Sequence, residues 1–257
     1  MKIVRSVTEM SLVAQSHKVG LVPTMGAFHD GHLSLMRAAR EECEVVVVSL
    51  FVNAAQFGAD DDLARYPQDE ERDARLAEEA GVDLLFVPSP AEMYPEGFGT
   101  WVDVDVTGGE ASARPGHFRG VATVCLKLFN IVRPAVAYFG QKDAQQVAVL
   151  RRMVRDLNVP VELRVLPTVR DEDGLALSSR NSYLTPAERR QALALPRALE
   201  AGRTAADPVA ATRAALNGLQ PEYVDLLRVG DATLLTAAAR IGTTRLIDNV
   251  VLEGELR

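Results

Sequence analysis

Apolar and polar positions along the chain fall into blocks with two different periods. Residues 19–23 (VGLVP) form a short apolar run that predicts a strand, and a glycine-containing loop then leads into a helical stretch over 32–42. Residues 45–52 (VVVVSLFV) show no polar alternation, as expected of a central parallel strand covered on both faces. A polar helix over 69–80 follows, with Gly81 at its C-terminal cap, and then a strand over 82–87. The rhythm repeats with a helix over 120–132, a strand over 135–139 and a helix over 144–157. Repeated strand–loop–helix units predict a doubly wound, Rossmann-like parallel sheet with ligands at the C-terminal ends of its strands.

Beyond residue 160 the pattern changes. Residues 160–168 read as an extended segment leading out of the first domain. Helices over 186–200 and 208–217 then precede strands near 223–229 and 244–251. The expectation is an α/β protein with a boundary near residue 168: a Rossmann-like domain at 1–168 and a smaller α+β domain at 169–257. The alanine-rich stretch after Ala201 reads as good helix former.

Composition narrows the classes. A chain of 257 residues with 47% hydrophobic content can bury a large core and is not a disordered chain. Its net charge of −7 supplies no basic face for a nucleic-acid backbone, although a local pocket can still hold a small anion. Cys43 and Cys125 lie in apolar stretches and read as small buried residues rather than a disulfide framework. The first residues, MKIVRS, carry no apolar core of signal-peptide length, and the run at 45–52 is too short to cross a bilayer. The expected address is the cytoplasm, with no membrane and no nucleic acid among the partners.

Chemistry concentrates in three places. Thr24 to His32 (TMGAFHDGH) lies between a strand and a helix. Gly26 and Gly31 let the backbone approach a ligand, and His32 falls where the unpaired N–H groups of a helix start favour an anion. Two imidazoles, His29 and His32, can donate to phosphate oxygens as charge builds on phosphorus. As a metal pair His-x-x-His lacks company, since only His17 and His117 remain and no Cys or carboxylate completes a usual spacing. The spacing is similar to the H-x-G-H signature of class I aminoacyl-tRNA synthetases and related nucleotidylyltransferases.

The second place is Gly140-Gln141-Lys142-Asp143, which follows an apolar strand and opens a helix. Alone it reads as an N-cap beside a solvated lysine. With a second motif at a strand end, both are expected to face one crevice, where Lys142 is a point charge for a phosphate. The third is Leu177-Ser178-Ser179-Arg180, after the turn Asp173-Gly174, a compact set of donors suited to a triphosphate. Thr185-Pro186-Ala187-Glu188 is a capping box with a structural role only, and Asp60-Asp61-Asp62 reads as solvated surface.

These stretches together resemble the pantoate–β-alanine ligase (pantothenate synthetase) family along nearly the whole chain. The matching segments are VPTMGAFHDGH at 22–32, FVNAAQFG at 51–58, RYP at 65–67 and RPGHFRGVATV at 114–124. They continue with KLFNIVRP at 127–134, YFGQKDAQQ at 138–146 and PTVRDEDGLALSSRNSYL at 167–184. Ala54-Ala55, Gln68 and a short segment from Gly108 to Ala113 depart from the usual pattern.

The resemblance implies a two-step reaction. Pantoate attacks the α-phosphorus of Mg2+-bound ATP to give pantoyl adenylate and pyrophosphate, and β-alanine then releases pantothenate and AMP. It implies His32 as proton donor, with His29, Lys142, Ser178, Ser179 and Arg180 also catalytic. Met25, Gly26, Ala27, Phe28, His29, Asp30, Gly31, His32, Gly140, Gln141, Lys142, Asp143, Val169, Leu177, Ser178, Ser179 and Arg180 would line the ATP site. Gln56 and Gln146 would hold pantoate, with Gln56 also touching β-alanine, and Asp73 aligns with an acidic position near the metal. A homodimer and closure of the loop at 173–181 on ATP are further expectations. The rival readings are a related nucleotidylyltransferase with another acceptor and a nucleotide-binding regulator without turnover.

Overall fold

The structure, a computed structural model, describes residues 1–13, 18–58, 61–216 and 218–256. His17, Asp60 of the acidic run and Asn217 at the expected end of a helix lie outside the described residues. The chain divides into two compact units. The first comprises Met1–Asp105, Pro115–Phe139 and Val149–Arg164; the second comprises Val106–Arg114, Gly140–Ala148 and Val165–Arg257.

The parallel sheet contains β1 (Lys2–Val4), β2 (Val19–Thr24), β3 (Val45–Leu50), β4 (Leu84–Phe86), β5 (Val136–Gly140) and β6 (Glu162–Leu166). Its order is β1-β4-β3-β2-β5-β6. The pairs β1–β4, β3–β4, β2–β3 and β2–β5 are all parallel. The helices along this part of the chain are α1 (Val7–Val13), α2 (Asp30–Glu42), α3 (Glu70–Glu79), α4 (Pro90–Met93), α5 (Gly109–Ala113), α6 (His117–Val132) and α7 (Ala144–Asp156). This is the doubly wound α/β architecture expected. Val46, Val47 and Val48 of β3 are fully buried, which is why that strand carries no polar alternation. β3, β4 and β1 lie on one side of β2, and β5 and β6 on the other. The winding therefore reverses between β2 and β5, the position where doubly wound sheets open a crevice at their strand ends.

Several elements differ from the sequence expectation. The segment at 160–168, expected only to be extended, contains a sheet strand: Glu162–Leu166 is the edge strand β6. An edge strand is half solvated, so ELRVL lacks the continuous apolar run of a central one. The helix expected over 186–200 is two, α8 (Pro186–Ala192) and α9 (Ala194–Arg203). Pro196 has no N–H to continue the first helix and sits instead in the opening turn of the second, where the amide would have no partner. The helix α2 starts at Asp30, two residues before the expected position, because His29 caps it.

The second unit is α+β. Beside α8, α9 and α10 (Pro208–Ala215), it holds an antiparallel sheet of β7 (Pro221–Val229), β8 (Ala232–Ile241) and β9 (Thr244–Glu253), with β8 in the centre. Its middle strand, ATLLTAAARI, was not expected, because its alanines favour helix. Tertiary packing overrides that preference. Ala237, Ala238 and Ala239 are fully buried, and Leu235 and Ala237 share one core with Leu195 and Leu199 of α9.

A buried ion pair ties α5 to this sheet. Arg245 on β9 holds Glu110 with two bonds of 3.0 and 2.6 Å, and the Tyr223 hydroxyl donates to the same carboxylate at 2.9 Å. Burial by itself would raise the Glu110 pKa, but Arg245, Tyr223 and Arg114 outweigh it and hold the carboxyl below its ordinary value. A depressed carboxylate contributes stability that is present above its unfolded pKa and lost as pH falls through the folded one. Glu110→Gln is therefore expected to cost about 3 kcal/mol near neutral pH, the scale for removing one partner of a buried pair. The deficit relative to the parent should shrink in acid. Urea unfolding at pH 7 and at pH 3 checks this, and an equal deficit at both values would count against the ionic account.

Candidate active site

The histidine loop is built by constraints at both ends. β2 ends at Thr24, and Gly26 follows with φ of +90°, a region open to glycine. Ala27 is also left-handed, with φ of +53°, at a cost of about 1 kcal/mol for a residue with a Cβ. The buried side chain of Asp73, on α3, holds this bend. Its two carboxylate oxygens accept from the amides of Ala27 at 2.6 Å and Phe28 at 2.8 Å. Burial pushes the Asp73 pKa up, and the two amide donors and Arg72 offset part of that. Asp73 thus anchors the loop, a role that the sequence does not display, since the bonds join positions more than forty residues apart.

The imidazoles follow from how α2 begins. His29 is its N-cap, and its Nδ1 accepts from the Gly31 amide at 3.2 Å. His32 reciprocates: its Nδ1 accepts from the His29 amide at 3.4 Å. The pair is a capping box in which histidines do what Ser/Thr and Glu/Gln usually do. The ring centroids lie 4.1 Å apart. With Nδ1 accepting in both rings, the hydrogen-bond network assigns the proton of each neutral imidazole to Nε2. Nε2 is then the atom able to donate to a phosphate oxygen. The amides of Ala27, Phe28 and Gly31 are already bonded to Asp73 and His29.

Gln56 closes a 3₁₀ turn, Ala54–Gln56, that follows β3. Its Oε1 accepts from Asn53 Nδ2 at 3.0 Å, and its Nε2 lies 3.2 Å from the Met25 sulfur. The backbone carbonyl of Gln56 meets His117 Nδ1 at 2.9 Å. Asn53 is itself buried, donating also to the Gly120 carbonyl and accepting from the Tyr94 hydroxyl at 2.8 Å. Gly120 lets α6 approach this turn closely, for a Cβ there would stand 2.6 Å from the Gln56 Cα. Asn53, His117 and Gly120 were not singled out from the sequence as site residues. Their signal was their place inside the matching segments 51–58 and 114–124.

The strand β5 ends at Gly140, and Gln141–Asp143 forms a 3₁₀ turn before α7. Lys142 Nζ lies 3.9 Å from Asp143 Oδ1, and Gln146 is half-buried in the first turn of α7. The segment 169–180 folds back on itself. Arg170 bridges to Ala176, and the Leu177 amide donates to the Val169 carbonyl at 3.0 Å. Gly174 turns the chain with φ of +90°, as expected for Asp173-Gly174. Arg189 grips Asp171 at 2.6 Å and Asp173 at 3.0 Å. Ser178 Oγ accepts from the Arg180 amide at 3.3 Å and opens the turn Ser179–Tyr183. The capping box at Thr185 and Glu188 has the structural role read from its sequence. Met25 to His32, Gln56 and Asp73 belong to the first unit; Gly140 to Asp143, Gln146, Val169 and Leu177 to Arg180 belong to the second.

Both cysteines are free and buried, and burial pushes the Cys125 thiol up to about 12, so it is inert. Among the described residues no group of three His, Cys, Asp or Glu side chains is arranged to hold a metal ion. Nor is any described helix long and apolar enough to cross a membrane.

A family model described as Pantoate-beta-alanine ligase matches residues 2–251. The chain is 51% identical to the pantothenate synthetase of Heliobacterium modesticaldum, covering 98% of this chain and 100% of that one. It is 52% identical to that of Chloroflexus aurantiacus, covering 99% of each. Among solved structures, a pantothenate synthetase from Thermus thermophilus superposes with a TM-score of 0.95 at 46% identity, covering 99% of this chain and all of that one. A pantoate-beta-alanine ligase from Francisella tularensis, complexed with beta-gamma ATP and beta-alanine, gives 0.85 at 34% identity, covering 98% of each chain.

Proposed function

The chain belongs to the pantoate-beta-alanine ligase family, and we propose that its histidine loop, Lys142 turn and serine–arginine segment act together on one ATP. The protein is a ligase that condenses pantoate with β-alanine at the expense of ATP. The observation that supports this reading for the histidine loop and the Lys142 turn is the sheet order. The histidine loop follows β2 and the Lys142 turn follows β5, and these two strands are neighbours at the point where the winding reverses.

The chemistry then divides among the residues. A carboxylate is a poor acyl donor, because its leaving group would be an oxide. In the first step a pantoate carboxylate oxygen forms a bond to the α-phosphorus as the α–β bridging bond breaks, and the electron pair leaves with pyrophosphate. Catalysis here is positioning and charge neutralisation. His32 and His29 donate from Nε2 to the phosphate oxygens on which charge grows. Lys142 serves the phosphates beyond the α, and Ser178, Ser179 and Arg180 supply further donors. Met25 to Phe28, Asp30, Gly31, Gly140, Gln141, Asp143, Val169 and Leu177 shape the nucleotide site around them. Gln56 and Gln146, neutral amides, orient pantoate through its hydroxyls and carboxylate, and Gln56 also meets β-alanine. In the second step the β-alanine amine forms a bond to the acyl carbon, AMP leaves with the acyl–oxygen electron pair, and the amine proton is released.

Magnesium is implied by the family. The described residues offer it no cage of their own, and both Asp73 oxygens are engaged by loop amides, so the metal would arrive on the triphosphate and would supply charge neutralisation there. The homodimer and the cytoplasmic address expected from the resemblance belong to this same reading and rest on the family.

Isotope exchange between ATP and pyrophosphate tests the proposal. Exchange should depend on pantoate and proceed without β-alanine. Exchange supported by some other acid and not by pantoate would favour a related nucleotidylyltransferase. ATP binding with no pyrophosphate release in the presence of pantoate would favour a regulator.

A further inference from the structure

Two adjacent polar residues in the middle of β9, Asp248 and Asn249, are almost wholly buried, at 3% and 2% exposure. Burying polar groups costs free energy unless they are bonded, so their partners show what holds them there. Asn249 Nδ2 donates to the carbonyls of Gln141 at 2.9 Å and Lys142 at 3.0 Å, and its Oδ1 accepts from Gln141 Nε2 at 3.1 Å. All three of these bonds go to the turn that carries Lys142. Asp248 takes the Arg170 guanidinium with two bonds of 2.8 and 3.0 Å. Arg170 Nη1 also donates to the Gly174 carbonyl at 3.1 Å. One dipeptide on a rigid strand therefore ties down both the lysine turn and the segment that leads to Ser178, Ser179 and Arg180, all within the second unit.

We propose that Asn249 is a positioning residue for Lys142, and that Asp248 does the same, through Arg170, for the segment leading to Ser178, Ser179 and Arg180. This rests on the phosphate roles assigned above. Lysine is a compact charge on a flexible stem, and its value to a developing charge depends on a backbone that does not move. The turn Gln141–Asp143 is a single 3₁₀ turn, and Asn249 bonds two of its consecutive carbonyls at once. A supporting layer of this kind is what keeps a charged group within the small tolerance that catalysis requires.

The test compares nucleotides that do and do not carry the phosphates Lys142 serves. ATP and AMP binding are titrated calorimetrically for the parent, Asn249→Ala, Lys142→Ala and the double variant. Asn249→Ala is expected to weaken ATP about tenfold while AMP stays within twofold of the parent. The double variant should bind ATP within twofold of Lys142→Ala alone, because Asn249 acts through the lysine. Equal losses for ATP and AMP, or full additivity in the double variant, would mean a structural role only and overturn the proposal. Should the alanine variant fail to fold, Asn249→Asp removes the donated bonds while keeping the shape, and the same outcomes apply. Asp248→Asn, which loses the charge that pairs Arg170, should also weaken ATP more than AMP. The parent's pantoate-dependent exchange is measured first. Its absence would sink the functional reading, whereas parental ATP binding by the Asn249 variants in an exchange-competent enzyme would sink only the positioning role.

Discussion

Replacing His32 by alanine is expected to lower kcat for adenylation by about a hundredfold or more, the scale for losing one donor to a developing charge. The loss should fall on kcat rather than on ATP affinity, because Nε2 is most useful once charge has grown on the phosphates. The same change removes the acceptor that completes the α2 capping box, which should cost about 1 kcal/mol of stability. His32→Gln separates the two effects. Glutamine at this position is a normal capping-box partner, so stability should return while turnover does not. Steady-state kinetics of pyrophosphate release, with thermal unfolding on the same samples, makes the comparison. Near-parental turnover in either variant would remove His32 from the chemistry.

Gly120→Ala is expected to reduce kcat/KM for pantoate by about a hundredfold, as when a binding group is displaced by about 1 Å. The added Cβ would meet backbone atoms of the Gln56 turn, including the Gln56 Cα at 2.6 Å, and backbone cannot rotate away as a side chain end can. Overpacking of this sort also costs about 1–3 kcal/mol. Displacing the turn disturbs the whole set that holds Gln56, since Asn53 Nδ2 bonds both Gln56 Oε1 and the Gly120 carbonyl. ATP binding should fall less than pantoate binding, because the displaced turn carries Gln56 itself, whereas the nucleotide loop is reached through the contact of Gln56 with the Met25 sulfur. Parallel titrations with ATP and with pantoate would show the asymmetry. Equal losses for both ligands would indicate a general loss of the fold rather than a displaced glutamine.

What could be read from the chain alone were features whose causes are local. The continuous valines of β3, the Thr185–Glu188 cap with Pro186 inside it, and the Asp173-Gly174 turn each follow from a few consecutive residues. The ordered motifs were legible for the same reason, since a strand, a glycine loop and a helix start are consecutive in sequence. They sufficed for the α/β class and for the family.

Only the tertiary structure decided the rest, and the reason is sequence distance. The resemblance marks Asp73 as an acid aligned with a position near the metal, but nothing in the sequence shows its oxygens on the Ala27 and Phe28 amides. Glu110 meets Arg245 across 135 positions, and Asn249 meets the Lys142 turn across more than a hundred. The strand β8 was missed because alanine's helical preference, worth a few tenths of a kcal/mol per residue, yields to burial between two neighbouring strands and a helix. A local preference is set by a residue's own backbone and near neighbours, so a sequence displays it directly. A buried polar partner exists only after distant segments have closed on one another, and until then nothing beside the residue marks it.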